Sequence, residues 1–236
     1  MIVTAILAKN EADKDLRDVL IRASEYSDTI LLLDDGSTDD TPEIARQLGA
    51  KVKHRNNIGM WGNEAPARAE LWDWAASEAK DGWVIINDAD MLLQGDPRPL
   101  AASWSVNTWC WVLYDLWSDT EYRSDTFWQG HEFPRPWMFR PSIVPMGWTP
   151  IWPDRGLHTG HAPLNWPMIA GVCPEDLVNW RHRAYLGDDR RVAKWRAYLS
   201  RRDCLTPNEI QHADSILPTD HPARGHIRDG AALARA

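Results

Sequence analysis

The 236-residue sequence predicts an α/β fold built on a mostly parallel sheet, and three observations carry that expectation. Short apolar runs with β-branched members recur at residues 2–8, 29–33 and 83–86, with a shorter strand expected at 51–54. Segments with apolar residues at helical spacing separate them, the alternation that gives a parallel sheet with right-handed crossovers. Two of the runs end in acidic clusters, at the strand ends where ligands of such sheets bind.

The first run, residues 2–8, lacks a basic leader and meets charge at Lys9 and Glu11, so it reads as a buried strand and not as a signal peptide. Residues 12–26 then place Leu16, Val19, Leu20 and Ala23 on one helical face. The second strand stops in Asp34-Asp35-Gly36-Ser37-Thr38-Asp39-Asp40-Thr41-Pro42, where Gly36 makes the turn and Pro42 opens a helix that ends near Gly49. After the third strand, residues 63–80 carry Leu71, Trp74, Ala75 and Glu78 at helical spacing. The fourth strand ends at Asn87-Asp88-Ala89-Asp90.

From residue 96 the character changes. Proline becomes frequent and tryptophan dense, with 15 Trp against 5 Tyr and 3 Phe in the whole chain. Most of these rings are expected in the core; at least one is expected in a groove, where a flat ring suits the apolar face of a sugar. A strand is expected at 108–114 and irregular chain from there through 152. Residues 188–202 read as a helix with Val192, Trp195 and Leu199 on one face and a solvated arginine face opposite. Beyond 215 a weakly ordered tail is expected.

Composition narrows the function. A net charge of −8 argues against a nucleic-acid binder. Three scattered cysteines, Cys110, Cys173 and Cys204, fit a reducing compartment and offer neither a disulfide framework nor a zinc site. No apolar run approaches the ~20 residues that span a bilayer, so a soluble, cytoplasmic protein is expected.

Asp88 and Asp90, two residues apart past a buried strand, can share a hard cation such as magnesium or manganese, which takes oxygen ligands and bridges to phosphates. A strand-ending turn accounts for them equally. Asp34 and Asp35 fit a turn and helix cap, yet adjacent carboxylates repel unless each finds a donor. A nucleobase N–H or a ribose hydroxyl is such a donor.

The stretch from Leu33 to Thr41, followed by Ile86-Asn87-Asp88-Ala89-Asp90, resembles family 2 glycosyltransferases of the GT-A fold. Asn10-Glu11 resembles the family's N-E element, and Arg68 falls where a basic residue commonly lies between the two acidic motifs. The resemblance covers the first half of the chain. It implies a single GT-A-type domain over 1–186, with a nucleotide-binding half (1–95), a Trp-rich acceptor-side half (96–186), and a C-terminal helix and tail over 187–236. It implies that Asp35, with Asp34, binds the base or ribose of a nucleoside-diphosphate sugar, aided by Asn10, Glu11 and Arg68. Asp88 and Asp90 would hold Mn2+ or Mg2+ on the diphosphate, Asp88 also belonging to the nucleotide site. Many relatives continue this triplet with Glu, where this chain has Met91.

In such enzymes a late histidine often completes the metal or phosphate site. The candidates are His182, before the basic helix, and His158 and His161, which share a Gly-flanked loop, with His182 and then His158 preferred. An inverting transferase also needs a general base, for which Asp125 and Glu132 are candidates; either can equally pair with Arg123 or Arg135. The acceptor would be a glycan, a protein or a small molecule, and inversion follows only by analogy. Two other readings stand beside this one. A nucleotidyltransferase would show a Gly-rich basic loop that Leu7-Ala8-Lys9-Asn10-Glu11 lacks. A non-catalytic GT-A-like module would bind carbohydrate through its Trp surface.

Overall fold

A computed structural model describes residues 1–55, 64–125, 127–153 and 160–221. The first part follows the expected alternation: β1 (Ile2–Ala8), α1 (Leu16–Ser24), β2 (Thr29–Asp34), α2 (Thr41–Gln47), β3 (Lys51–His54), α3 (Ala65–Ala79), β4 (Trp83–Asp88). Then come β5 (Met91–Gly95), β6 (Thr108–Trp111), β7 (Leu113–Asp115), β8 (Arg135–Phe139), β9 (Ala170–Val172) and β10 (Val178–His182), closed by α4 (Asp188–Leu199) and α5 (Pro207–Ser215). The main sheet has seven strands in the order β3-β2-β1-β4-β8-β6-β9, and a smaller sheet has the order β5-β10-β7. In the main sheet β3, β2, β1 and β4 are mutually parallel, and β8 lies antiparallel between β4 and β6.

All seven residues of β1 are buried because parallel neighbours flank it and helices cover both faces. Its side chains alternate between two cores. Ile2 and Ile6 join Leu16, Leu20, Ile30 and Ile44 on the α1–α2 face. Val3, Ala5 and Leu7 join Leu31, Leu71, Ala75 and Ile86 on the α3 face. Thr4, the polar exception, bonds Ser27 side chain to side chain at 2.7 Å. Tryptophan is mostly core, as expected: Trp83, Trp111, Trp128 and Trp180 are fully buried. Trp72 meets Phe139 and Trp166 edge-on at 5.3 and 5.2 Å.

Several expectations need correction. The first helix starts at Leu16, not at 12, because the preceding loop is tied to the β2–α2 loop: Glu11 N–H donates to Thr41 Oγ1 at 2.7 Å and Ala12 N–H to Asp39 at 3.1 Å. The strand expected at 108–114 is two strands in different sheets. The chain expected to be irregular through 152 contains β8, paired with both β4 and β6. Pro136 disguises it. Proline cannot donate to a ladder, and the register shift at Trp109/Cys110, opposite this part of β8, accommodates it. Past 199, Thr206 and Glu209 form a capping box that starts α5, and Ile216 and Leu217 are buried where a loose tail was expected. Residues 222–236 lie outside the described chain.

The chain divides into two compact units, one of Met1–Tyr114 and Gly130–His182, the other of Asp115–Gln129 and Arg183–Ala236. Residues 115–129, placed by the sequence in the acceptor-side half, thus group with the C-terminal helices. Within that second unit Trp117 and Trp128 pack edge-on at 5.2 Å, with Arg123 over both rings. Cys110 and Cys173 are buried free thiols, and burial pushes Cys173 up to about 11. Among the described residues no helix is long and apolar enough to cross a membrane.

Candidate active site at the carboxyl ends of β2 and β4

Parallel pairing of β1 with β2 and β4 brings Asp34, Asp35 and Asp88 to one edge of the first unit. Asp34 and Asp35 are both 0% exposed. Asp34 accepts from the Ser37 N–H at 3.1 Å and pairs with His54 Nδ1, its register partner on β3. Asp35 Oδ1 accepts from Arg55 Nη1 at 2.8 Å, and Arg55 Nε reaches Glu70 at 2.9 Å. The repulsion expected between adjacent carboxylates is therefore met from within the protein, by one nitrogen-bearing side chain from the end of β3 for each.

Asn10 and Glu11 lie beside this edge as loop ties. Asn10 adopts a left-handed φ of 55°, which lets its N–H donate to Ser37 Oγ at 2.9 Å while its Oδ1 accepts from the Thr38 N–H at 2.8 Å. The Glu11 carboxylate accepts from Lys14 Nζ at 2.9 Å.

The second acidic cluster is more open, with the Asp88 side chain 31% exposed and that of Asp90 23%. Arg68, buried on α3, donates from Nη2 to Asp88 Oδ1 at 2.8 Å, and Glu64 Oε1 accepts from its Nε at 2.7 Å. Its Nη1 is buried with no hydrogen-bond partner among the described residues. Burial works against the Arg68 charge, but Asp88 and Glu64 more than offset it and raise its pKa. Burial pushes the Asp88 carboxyl up; Arg68 and then His161 outweigh it and hold that carboxyl well below the usual range. His161 Nε2 stands 3.3 Å from Asp88 Oδ2, its ring against Trp137 at 4.6 Å. His182 Nε2 stands 3.6 Å from Asp90 Oδ2, because antiparallel β10 pairs His182 with Met91, the residue after Asp90.

Asp88 and Asp90 present hard oxygen donors, and the arrangement can hold a cation only in part. Among the described residues no three His, Cys, Asp or Glu side chains gather closely enough to hold a metal ion by themselves. A site of this kind needs oxygens from elsewhere, as when one or two carboxylates share Mg2+ with substrate phosphates.

Asp125 belongs to the second unit, where Arg123 Nε donates to it at 2.6 Å. Glu132, in the first unit, is exposed with His131 Nε2 3.6 Å away. His158 lies outside the described residues. Sequence reasoning missed Arg55 and Glu64. Glu64 precedes Arg68 by one helical turn, a legible spacing; Arg55 needed the β2–β3 register.

Residues 4–150 match the model of glycosyl transferase family 2. The chain belongs to that family. An uncharacterized glycosyltransferase of Rickettsia typhi is 34% identical over 89 residues, 38% of this chain and 27% of that protein. One of Rickettsia prowazekii is 33% identical over 89 residues, with the same coverage. The aligned segment thus spans about a quarter of the length of these relatives. Among solved structures, glucosyl-3-phosphoglycerate synthase from Mycobacterium tuberculosis with Mn2+ and UDP-glucose is 25% identical, covering 48% of this chain and 43% of that one. Its TM-score is 0.37, too low to carry an argument about this chain. Family 2 membership agrees with the GT-A-type sheet, in which the parallel β3-β2-β1-β4 half carries both acidic clusters.

Proposed function

We propose that this chain transfers a sugar from a nucleoside-diphosphate sugar to an acceptor hydroxyl, with Mn2+ or Mg2+, at the edge formed by β2 and β4. The observation that carries this reading is Arg68: a buried guanidinium bound to Asp88, whose Nη1 has no hydrogen-bond partner among the described residues, beside two partly open carboxylates. That is the charge pattern a diphosphate with its cation would complete. Asp88 and Asp90 would hold the cation, and His182 and His161 would orient them or add a ligand. Asp35, fixed by Arg55, would read the base or ribose, and Arg68 Nη1 would bind a phosphate oxygen. When bound, the cation would supply charge stabilisation for the departing diphosphate. Arg68 adds a fixed positive charge that needs no reorganisation, and the depressed carboxyl of Asp88 stays ionised and ready as a ligand.

The acceptor, a glycan, protein or small molecule, and an inverting outcome belong to the same proposal, as do Asp125 and Glu132 as alternative general bases. Cytoplasmic location rests on the cysteine pattern alone. A thermal-shift screen of nucleotides and nucleotide-sugars, with and without Mn2+, tests the core of it, because a bound ligand stabilises by mass action. Stabilisation by one nucleotide class, enhanced by Mn2+ and lost in Asp90→Ala, is expected. Stabilisation by glycans alone would replace the reading with a binding module.

A further inference from the structure

The opposite edge of the main sheet, where β4 begins, holds a buried cation that no carboxylate of the described residues answers. Arg140 directly follows β8, and the Val84–Phe139 pairing sets it alongside Trp83. It is only 4% exposed. Its Nε donates to the Asp81 carbonyl at 3.1 Å, and its guanidinium lies over the Trp104 ring at 3.7 Å and the Trp83 ring at 5.9 Å. Nη1 is buried and makes no hydrogen bond among the described residues, and none of their carboxylates pairs with Arg140.

A guanidinium taken out of water needs an anion or a full set of acceptors. Two tryptophan faces answer part of the charge and supply no acceptor for Nη1. Arg140 also borders a cleft of about 330 Å³, lined with it by Lys80, Asp81, Gly82 and Trp104. Lys80 brings a second cation to the same cleft, and the Asp81 carboxylate pairs with neither. Trp104 is 77% exposed, so a large ring stands in solvent beside the buried charge.

We propose that this cleft binds a small phosphate-type oxyanion, gripped by the planar fork of Arg140 and neutralised by Lys80. β4 runs the six residues from Trp83 to Asp88, which at strand rise puts about 17 Å between this cleft and the carboxylate edge. The anion site is therefore separate from the proposed sugar-transfer site and stands or falls independently of it.

Thermal unfolding of the full chain against inorganic phosphate, then sulfate, at ionic strength fixed with chloride, tests this. A saturable rise in Tm is expected for the wild type. Arg140→Gln should raise the half-saturating phosphate concentration about tenfold, the ratio for one lost charge-assisted hydrogen bond. Should Arg140→Gln fail to fold, Lys80→Met and Trp104→Ala, both at exposed positions, carry the test, each shifting the half-saturation several-fold. The proposal is overturned if phosphate acts no differently from chloride, or if Lys80→Met and Trp104→Ala titrate like the wild type. It is equally overturned if the rise disappears in Arg68→Gln instead, which would place the anion at the other edge.

Discussion

The ends of β2 and β4 carry the same sequence feature, a pair of aspartates closing an apolar strand, and the structure uses them differently. Asp34 and Asp35 are fully buried and already hold His54, the Ser37 N–H and Arg55. Asp88 and Asp90 remain partly open, and the histidines beside them stand at 3.3 and 3.6 Å, loose by hydrogen-bond standards. The β2 pair is thus buried and already engaged by the protein's own side chains. The β4 pair keeps capacity to bind something more. Acidic clusters at strand ends are distinguished by how much of their charge the protein has already answered.

The largest effect should come from Arg68, which serves the β4 end. Arg68→Ala leaves Glu64 and Asp88 without their shared cation, and a loss of about 3 kcal/mol is expected from urea unfolding. A loss below about 0.5 kcal/mol would mean that the pair is solvated and the β4 end less organised than described. Next, Arg55→Ala should cost about 2 kcal/mol by stranding Asp35, with Arg55→Lys recovering part of it. Since Arg55 also orients Asp35, nucleotide affinity should fall with it. Equal nucleotide affinity in Arg55→Ala would confine Arg55 to a structural role.

By contrast, Asp90→Asn should change stability by no more than about 0.5 kcal/mol, because its side chain is partly open and the substitution is isosteric. Its effect belongs in ligand binding. If Asp90→Asn unfolds the protein as Arg68→Ala does, the contrast between the two strand ends fails.

The smallest effect is the acid response of the β2 loop. Burial raises the Asp39 carboxyl, but hydrogen bonds from Thr41 and the Ala12 N–H outweigh it and lower it below its ordinary 3.8. A depressed carboxylate contributes stability above its unfolded pKa and loses it as pH falls through the folded value. Asp39→Asn should therefore lower Tm slightly at neutral pH, where the carboxylate's contribution is present, and flatten the acid limb of the Tm–pH curve below about pH 4, where wild type and variant converge. An unaltered acid limb would show that Asp39 is not tying the two loops together.

The parallel half of the sheet was readable because strands buried on both faces are near-continuous apolar runs, and residues 2–8, 29–33 and 83–86 are such runs. What escaped depends on partners distant in sequence. β8 is short and contains Pro136, so local propensity argues against it, and only its two neighbouring strands make it a strand. The start of α1 is set by Thr41 and Asp39, some thirty residues on. At the candidate site, the acidic end of β4 was legible from the apolar run before it, whereas the pairing of Arg55 was not, because it follows from strand register. His182 was reached by family resemblance; the physical reason for it, β10 running back along β5 to Asp90, appears only in three dimensions.

On the reading proposed above, the β4 carboxylates, and not the β2 pair, retain binding capacity for a cation. The direct measurement is calorimetric titration of Mn2+, in the presence of a nucleoside diphosphate, into the wild type, Asp90→Asn and Asp34→Asn. Binding that is lost in Asp90→Asn and kept in a folded Asp34→Asn is the result predicted here. Mn2+ binding undiminished in Asp90→Asn, or abolished in a folded Asp34→Asn, would contradict it.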